Sequence, residues 1–179
     1  IVLGDSHNKL SVRNISKLGR LAIRNLNSMF KEAEFKDLKV LVLSGNEMHI
    51  SKLSSGLKAI LPKVQKQVFL SQFTFSKKDL KMIFENSSQV ENITIAFSCI
   101  DNPGKSFVLD NSIDYKIKEI SLFGSCHRSW SDHLTDKKLK HFVRALSETN
   151  LVNSLSDVYT KEDWYLANRM QKVFDDAGF

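Results

Sequence analysis

Four short stretches of the chain alternate apolar and polar residues around an equivalent pair: Leu41 and Leu43, Val68 and Leu70, Ile93 and Ile95, Ile120 and Leu122. In three of them another apolar residue stands three places earlier, at Leu38, Val90 and Ile117. A period of two predicts strands with one buried and one open face. A doubly wound parallel sheet needs near-continuous apolar strands, and only the run from Val40 to Leu43 has that character. The first member of each pair recurs at positions 41, 68, 93 and 120, at intervals of 27, 25 and 27 residues. A near-constant interval of this length points to a stack of similar units, each burying its apolar face against its neighbours.

The segments between these strands carry helical spacing. Leu53, Leu57, Ile60 and Leu61 mark one helix, and Leu80, Ile83 and Phe84 a second. Leu139, Phe142, Val143 and Leu146 mark a third, with Thr135 or Asp136 as its cap. Residues 101–116 hold Pro103 and Gly104 and predict an irregular or short helical return. Met48, Phe75 and Ile100, each five residues past an inner strand residue, read as one further ladder of apolar positions. The ends depart from the pattern. Residues 1–6 read as a strand and turn, and residues 12–33 as a long amphipathic helix. Residues 151–155 read as a degenerate last strand, and 163–177 as a capping helix. The whole, 1–179, is expected to be one domain, with an atypical first unit over 1–37, regular units over 38–150 and a C-terminal cap over 151–179.

The run Leu38-Lys39-Val40-Leu41-Val42-Leu43-Ser44-Gly45-Asn46 matches LxxLxLxxN, and together with Val68, Leu70, Val90, Ile93, Ile95, Ile117, Ile120 and Leu122 it resembles the leucine-rich repeat family. The likeness is to the ribonuclease-inhibitor and cysteine-containing types, in divergent form. The asparagine slot after Asn46 holds Phe73, Ser98 and Ser125, and Cys99 and Cys126 fall one place late. The resemblance implies an α/β solenoid with a curved parallel sheet on the concave side, helices on the convex side, and a protein partner bound on the concave face.

The pattern assigns the non-core strand positions to two rows about 4.8 Å apart from strand to strand. Val42, Phe69, Thr94 and Ser121 form one row; Ser44, Ser71, Ala96 and Phe123 form the next. Few charges and several large apolar groups, with Phe97 at the flank, mark this face as a partner site made of Val42, Ser44, Phe69, Ser71, Thr94, Phe97, Ser121 and Phe123. The expected role is a non-catalytic scaffold or structural subunit of an intracellular, eukaryotic-type complex, with no cofactor and no small-molecule substrate.

A rival reading is enzymatic. Gly4-Asp5-Ser6, Ser44-Gly45-Asn46-Glu47 and His133-Leu134-Thr135 are similar to the nucleophile, Gly-Asn and histidine blocks of SGNH hydrolases. That resemblance implies an ester hydrolase with Ser6 as nucleophile, Asn46 as oxyanion donor and His133 as base. The family's acid would stand three residues before the histidine, where this chain has Trp130, and Gly-Asp-Ser and Ser-Gly-Asn are also ordinary strand-end turns. For a metal, Cys126, His127, His133 and His141 lack zinc spacing, and no glycine-rich phosphate loop follows a strand.

Composition narrows this further. Twenty-six Lys and Arg against 20 Asp and Glu give a net charge of +6, a mild preference for acidic partners. Lys52, Lys58, Lys63, Lys77, Lys78, Lys81, Lys137, Lys138 and Lys140 map mostly to the helices, so RNA or another acidic polymer is a second alternative, on the convex side. Nucleic acid is not the expected partner. Two cysteines make no disulfide framework, which suits an intracellular protein, cytoplasmic or cytoskeletal before organellar. Mean hydropathy is −0.23, and no apolar run approaches the roughly 18 residues of a membrane span. The residue choice, rich in Lys, Asn, Ile and Phe, is that of an AT-rich genome. Opening on Ile1, with no signal pattern, the chain is expected to be a segment of a longer protein with further units before it.

Overall fold

The computed structural model describes residues 8–35, 37–100, 108–123, 149, 151, 157–161, 172 and 175–176. Among them, seven strands form one wholly parallel sheet: β1 (Lys9–Val12), β2 (Val40–His49), β3 (Gln67–Phe75), β4 (Asn92–Ala96), β5 (Cys99–Ile100), β6 (Glu119–Phe123) and β7 (Asp157–Lys161). The order is β1-β2-β3-β4-β6-β7, with β5 paired to the far end of β3. Each principal strand therefore lies beside the next one in the chain, with no reversal of strand order. A parallel pair needs a crossover between its strands. α1 (Gly19–Glu32), α2 (Ser54–Ile60) and α3 (Lys77–Asn86) supply the first three. Residues 108–118 supply part of a fourth without helix, the irregular one of the two forms expected there; residues 101–107 lie outside the described set.

The register matches the sequence pattern residue for residue. Leu41 stands opposite Val68, Val68 opposite Ile93, and Ile93 opposite Ile120. Leu41, Leu43, Val68, Leu70, Ile93, Ile95 and Ile120 are fully buried, in one core with Phe30, Leu57, Ile60, Ile83 and Phe84 from the helices. Each such aliphatic side chain contributes about 1.5–3 kcal/mol relative to exposure. Leu38, Val90 and Ile117, the earlier slot, are buried too.

The first described strand, β1, lies past the residues 1–6 at which a strand was expected. Leu10 and Val12 occupy the inner slots of β1, opposite Leu41 and Leu43, while residues 1–7 lie outside the described set. The helix expected over 12–33 begins only at Gly19. Val12 belongs to the sheet, and the left-handed residues Asn14 (φ 53°) and Gly19 (φ 73°) bracket a 3-10 turn, Ile15–Leu18, ahead of α1. The last described strand is β7; of the strand expected over 151–155 only Leu151 is described, in a helical position, and 152–155 lie outside the described residues. The register of β7 puts Val158 opposite Ile120 and Thr160 opposite Leu122, and a threonine in an inner slot hid this strand from the pattern. Of the expected C-terminal helix Lys172, Asp175 and Asp176 are described, the first two helical and the third in a turn, and the helix expected over 139–146 falls outside the described residues.

The ladder expected of Met48, Phe75 and Ile100 is split. Met48 stands opposite Phe73, whereas Phe75 stands opposite Ile100. β2 holds two more residues than β3 between Ser44 and Met48, and Asn46 (φ 50°) and Glu47 (φ 68°) are both left-handed there. That is a bulge, which bends the strand and shifts all that follows. Gly45 is required beside it: a Cβ there would be driven into the Phe73 ring and to 2.9 Å from the Gln72 carbonyl oxygen.

Neighbouring units are also joined on the helix side. Asn27 of α1 accepts from the Gly56 N–H at 2.8 Å and the Ser55 hydroxyl at 3.2 Å, and donates to the Lys52 carbonyl at 2.9 Å and its own Ile23 carbonyl at 3.1 Å. It thereby satisfies backbone groups at the start of α2 that have no partner within that helix. Glu85 of α3, like Asn27 fifteen residues past an inner strand residue (Leu70 and Val12), accepts from the Asp110 N–H at 2.8 Å. Lys81 pairs with Glu85 and donates to the Val108 carbonyl at 2.6 Å. α3 opens with a capping box: Ser76 Oγ accepts from the Asp79 N–H, and the Asp79 carboxylate accepts from the Ser76 N–H at 2.8 Å.

Candidate protein-interaction face

Alternation along the strands turns half of their side chains away from the helix-packed core. The expected rows do lie there. Val42 stands beside Phe69, Phe69 beside Thr94, and Thr94 beside Ser121; the next row runs Ser44, Ser71, Ala96, Phe123. β7 adds Tyr159 and Lys161 to the register.

Accessibility divides the rows. Val40, Val42, Ser44 and Phe69 are half-buried, whereas Ser71, Thr94, Ala96 and Ser121 are buried. The expectation that both rows are open along their whole length is therefore corrected. These four are small side chains with a strand on either side, and among the described strand side chains the accessible apolar part of the face is concentrated on β2 and β3. The Phe123 side chain is not among those described. Polar groups on this face bond to one another. The Ser44 hydroxyl donates to Gln72 Oε1 at 3.0 Å, and the Ser121 hydroxyl to Glu119 Oε1 at 2.7 Å.

At one end of the face the strands share a corner of unusual backbone. Asn46 and Glu47 on β2, Gln72 on β3 and Phe97 after β4 all have positive φ without being glycine. Phe97 (φ 49°) is 49% exposed, one of three large hydrophobic residues so placed among the described residues. A bulky residue in the left-handed region is a genuine outlier, costing about 1–3 kcal/mol. Buried Ser98 completes the corner: its hydroxyl accepts from the Phe73 N–H at 3.2 Å and donates to the Ala96 carbonyl at 2.8 Å. A serine thus bonds the preceding strand in the slot where the motif has asparagine. Asn46 itself is exposed, and its side chain donates to Ser16 Oγ at 3.3 Å. No local sequence signal marks Gln72 or Phe97 as left-handed; a change in strand register between β2 and β3 falls at Gln72, whereas the register of β3 against β4 and β5 runs unchanged past Phe97.

For the hydrolase reading, Ser6 and His133 lie outside the described residues, and Asn46 stands at the bulge of β2. The strand that pairs with β2 is Lys9–Val12, so Gly4-Asp5-Ser6 precedes that strand in the chain, whereas Ser44-Gly45-Asn46 follows the matching part of β2. Among the described residues no three His, Cys, Asp or Glu side chains group as metal ligands, and no helix is long and apolar enough to cross a membrane. Cys126 and the expected cluster at His127, His133 and His141 are outside the described set. Of the helix-side lysines, Lys52, Lys58 and Lys78 are exposed. Lys63 donates to the Ala33 carbonyl at 2.9 Å, with its ammonium 5.9 Å from the Phe35 ring centre, and Lys81 serves the α3 joint. Lys137, Lys138 and Lys140 are not described.

Among the described residues one ionisable side chain is strongly perturbed. Burial, aided by the charges of Glu85 and Asp110, pushes the Tyr115 phenol up to about 12. Its hydroxyl donates to the Asp110 carbonyl at 3.3 Å, a role in holding the return beside α3. Asp110, exposed, is held below the usual carboxylate range by hydrogen bonds from the Ser112 hydroxyl and N–H.

In comparisons with known proteins, no family model, no curated protein and no solved structure matches the chain.

Proposed function

We propose that this chain is a non-catalytic protein-interaction module, a divergent solenoid of the leucine-rich repeat kind that holds a protein partner within a larger assembly. Its partner lies along the sheet face opposite the helices, on the accessible strip of Val42 and Phe69 and over the corner at Phe97. The regular register of consecutive parallel strands supports the solenoid reading, because each unit buries its inner residues against the next.

The observation that carries the interaction reading is Phe97. It combines two costs, a left-handed backbone and a half-exposed aromatic ring. Aromatic anchors in largely uncharged surroundings dominate interface energetics. The test is affinity capture from the native cell with wild type and a Phe69→Ser/Phe97→Ser variant whose thermal midpoint has been measured. Loss of a stoichiometric partner from a folded variant is the expected result. A partner retained in full by that variant contradicts the assignment of this face.

A further inference from the structure

The helix side carries a second feature that the sheet face does not explain. Arg20, Arg24 and Lys31 stand seven and three residues before and four residues after Asn27, so they share its face of α1. All three are exposed. Asn27 is bonded to the Lys52 carbonyl and to Ser55 and Gly56, so that face borders the start of α2. Lys52 and Lys58 are exposed there, and Lys58 shares the face of Ser55, three residues before it. Five cationic side chains thus line one seam between α1 and α2.

The cations outnumber the acids along this seam. α2 and its flanking 3-10 turns contain no Asp or Glu. Glu32, five residues past Asn27, lies on the same side of α1 as Leu21, at the edge of this face rather than on it. None of the five forms an ion pair with a described residue, unlike Lys81 with Glu85. From Arg20 to Lys31 the seam runs about 16 Å at the helical rise. Leu21, next to Arg20 and three residues before Arg24, is 70% exposed at its edge. No exposed aromatic residue is described on α1 or α2.

We infer that the α1–α2 seam is a docking site for an acidic polypeptide segment that carries an apolar residue beside its carboxylates. Clustered like charges repel one another and are relieved by an anionic partner. The exposed leucine selects a polypeptide over nucleic acid, whose bases would need aromatic stacking that the seam does not offer. This site is independent of the sheet face, and its failure would leave the sheet-face proposal standing.

The experiment is fluorescence anisotropy at low salt with the full chain. The probes are a labelled Glu/Asp-rich peptide of about ten residues with interspersed leucines, long enough to span the seam when extended, and an oligouridine of matched charge. The expected result is saturable peptide binding, tighter than for the oligouridine. Arg24→Glu/Lys58→Glu should weaken it about tenfold or more, and the matched control Lys77→Glu/Lys78→Glu by less than about threefold. Leu21→Ser should weaken the peptide severalfold and leave the oligouridine unchanged. No saturable peptide binding, equal or tighter oligouridine binding, or equal loss in the seam and control variants would overturn the proposal. All substituted side chains are exposed or half-exposed, and a circular dichroism melt of each variant confirms that its fold is intact.

Discussion

Phe97 is where local backbone cost and surface exposure coincide, so it separates stability from binding at a single position. Phe97→Gly removes the left-handed penalty while giving up the packing of a half-exposed ring. The two effects are of similar size, so stability should stay within about 1 kcal/mol of wild type, while partner capture is lost. A chemical denaturation curve run beside a capture assay checks both. Gly45 behaves in the opposite way. Gly45→Ala drives a methyl group into the Phe73 ring and against the Gln72 carbonyl, with no compensating surface loss. It should lower stability by about 1–3 kcal/mol, as overpacking does, read as a reduced urea midpoint with unchanged slope. Phe73, Ser98 and Asn46 show why this scale was hard to read from sequence. The motif assigns all three to one slot, yet Asn46 points outward, Phe73 is core and only Ser98 bonds across to the previous strand. Backbone sign at the bulge decides which, and side-chain type at Gln72 or Phe97 gives no hint of it.

Among the elements, strands were legible and corners were not. A strand announces itself by alternation: Leu41 with Leu43, Val68 with Leu70 and Ile93 with Ile95 align in register as their spacing requires. β7 was not legible because Thr160 holds an inner slot, and β1 because Val12 also fits the helical spacing of Ile15 and Leu18 that follow it. The joints between units have no period at all. Asn27 is a polar residue on a helix, and only contact shows that all four hydrogen-bonding positions of its carboxamide are used. Asn27→Ala should therefore cost about 1–3 kcal/mol, the penalty for leaving partly buried backbone groups unpaired. Hydrogen exchange of the Gly56 amide should rise more than that of the β2 and β3 amides. Equal protection in variant and wild type would mean that the bond contributes nothing. Ser76→Ala removes one half of the α3 capping box and should cost about 1 kcal/mol in a denaturant titration. Its Ser-x-x-Asp spacing was present in the sequence.

For the molecule as a whole, the parallel sheet is tied to its returns by groups that titrate as well as by packing. Tyr115 has a folded value of about 12 against an unfolded value near 10. The unfolded chain therefore releases this proton first, and stability present below pH 10 declines as pH rises from about 10 toward 12. The decline should be shallower in Tyr115→Phe, since lysines titrate alike in both proteins; urea midpoints at pH 9 and pH 11 give the comparison. Identical slopes would place Tyr115 in an ordinary aqueous setting. At this scale the sequence conveyed the parallel α/β sheet, the inner and outer faces and the apolar strip at Val42 and Phe69. It did not convey how far Ser71, Thr94 and Ser121 are shielded, because accessibility depends on what stands beside a residue across the strands. The central claim is that a protein partner lies on that strip and over the Phe97 corner. It is tested most directly by hydrogen–deuterium exchange of the chain alone and with its captured partner. The account predicts added protection in residues 67–75 and 92–98. Protection confined to the helices, or none in those two segments, would contradict it.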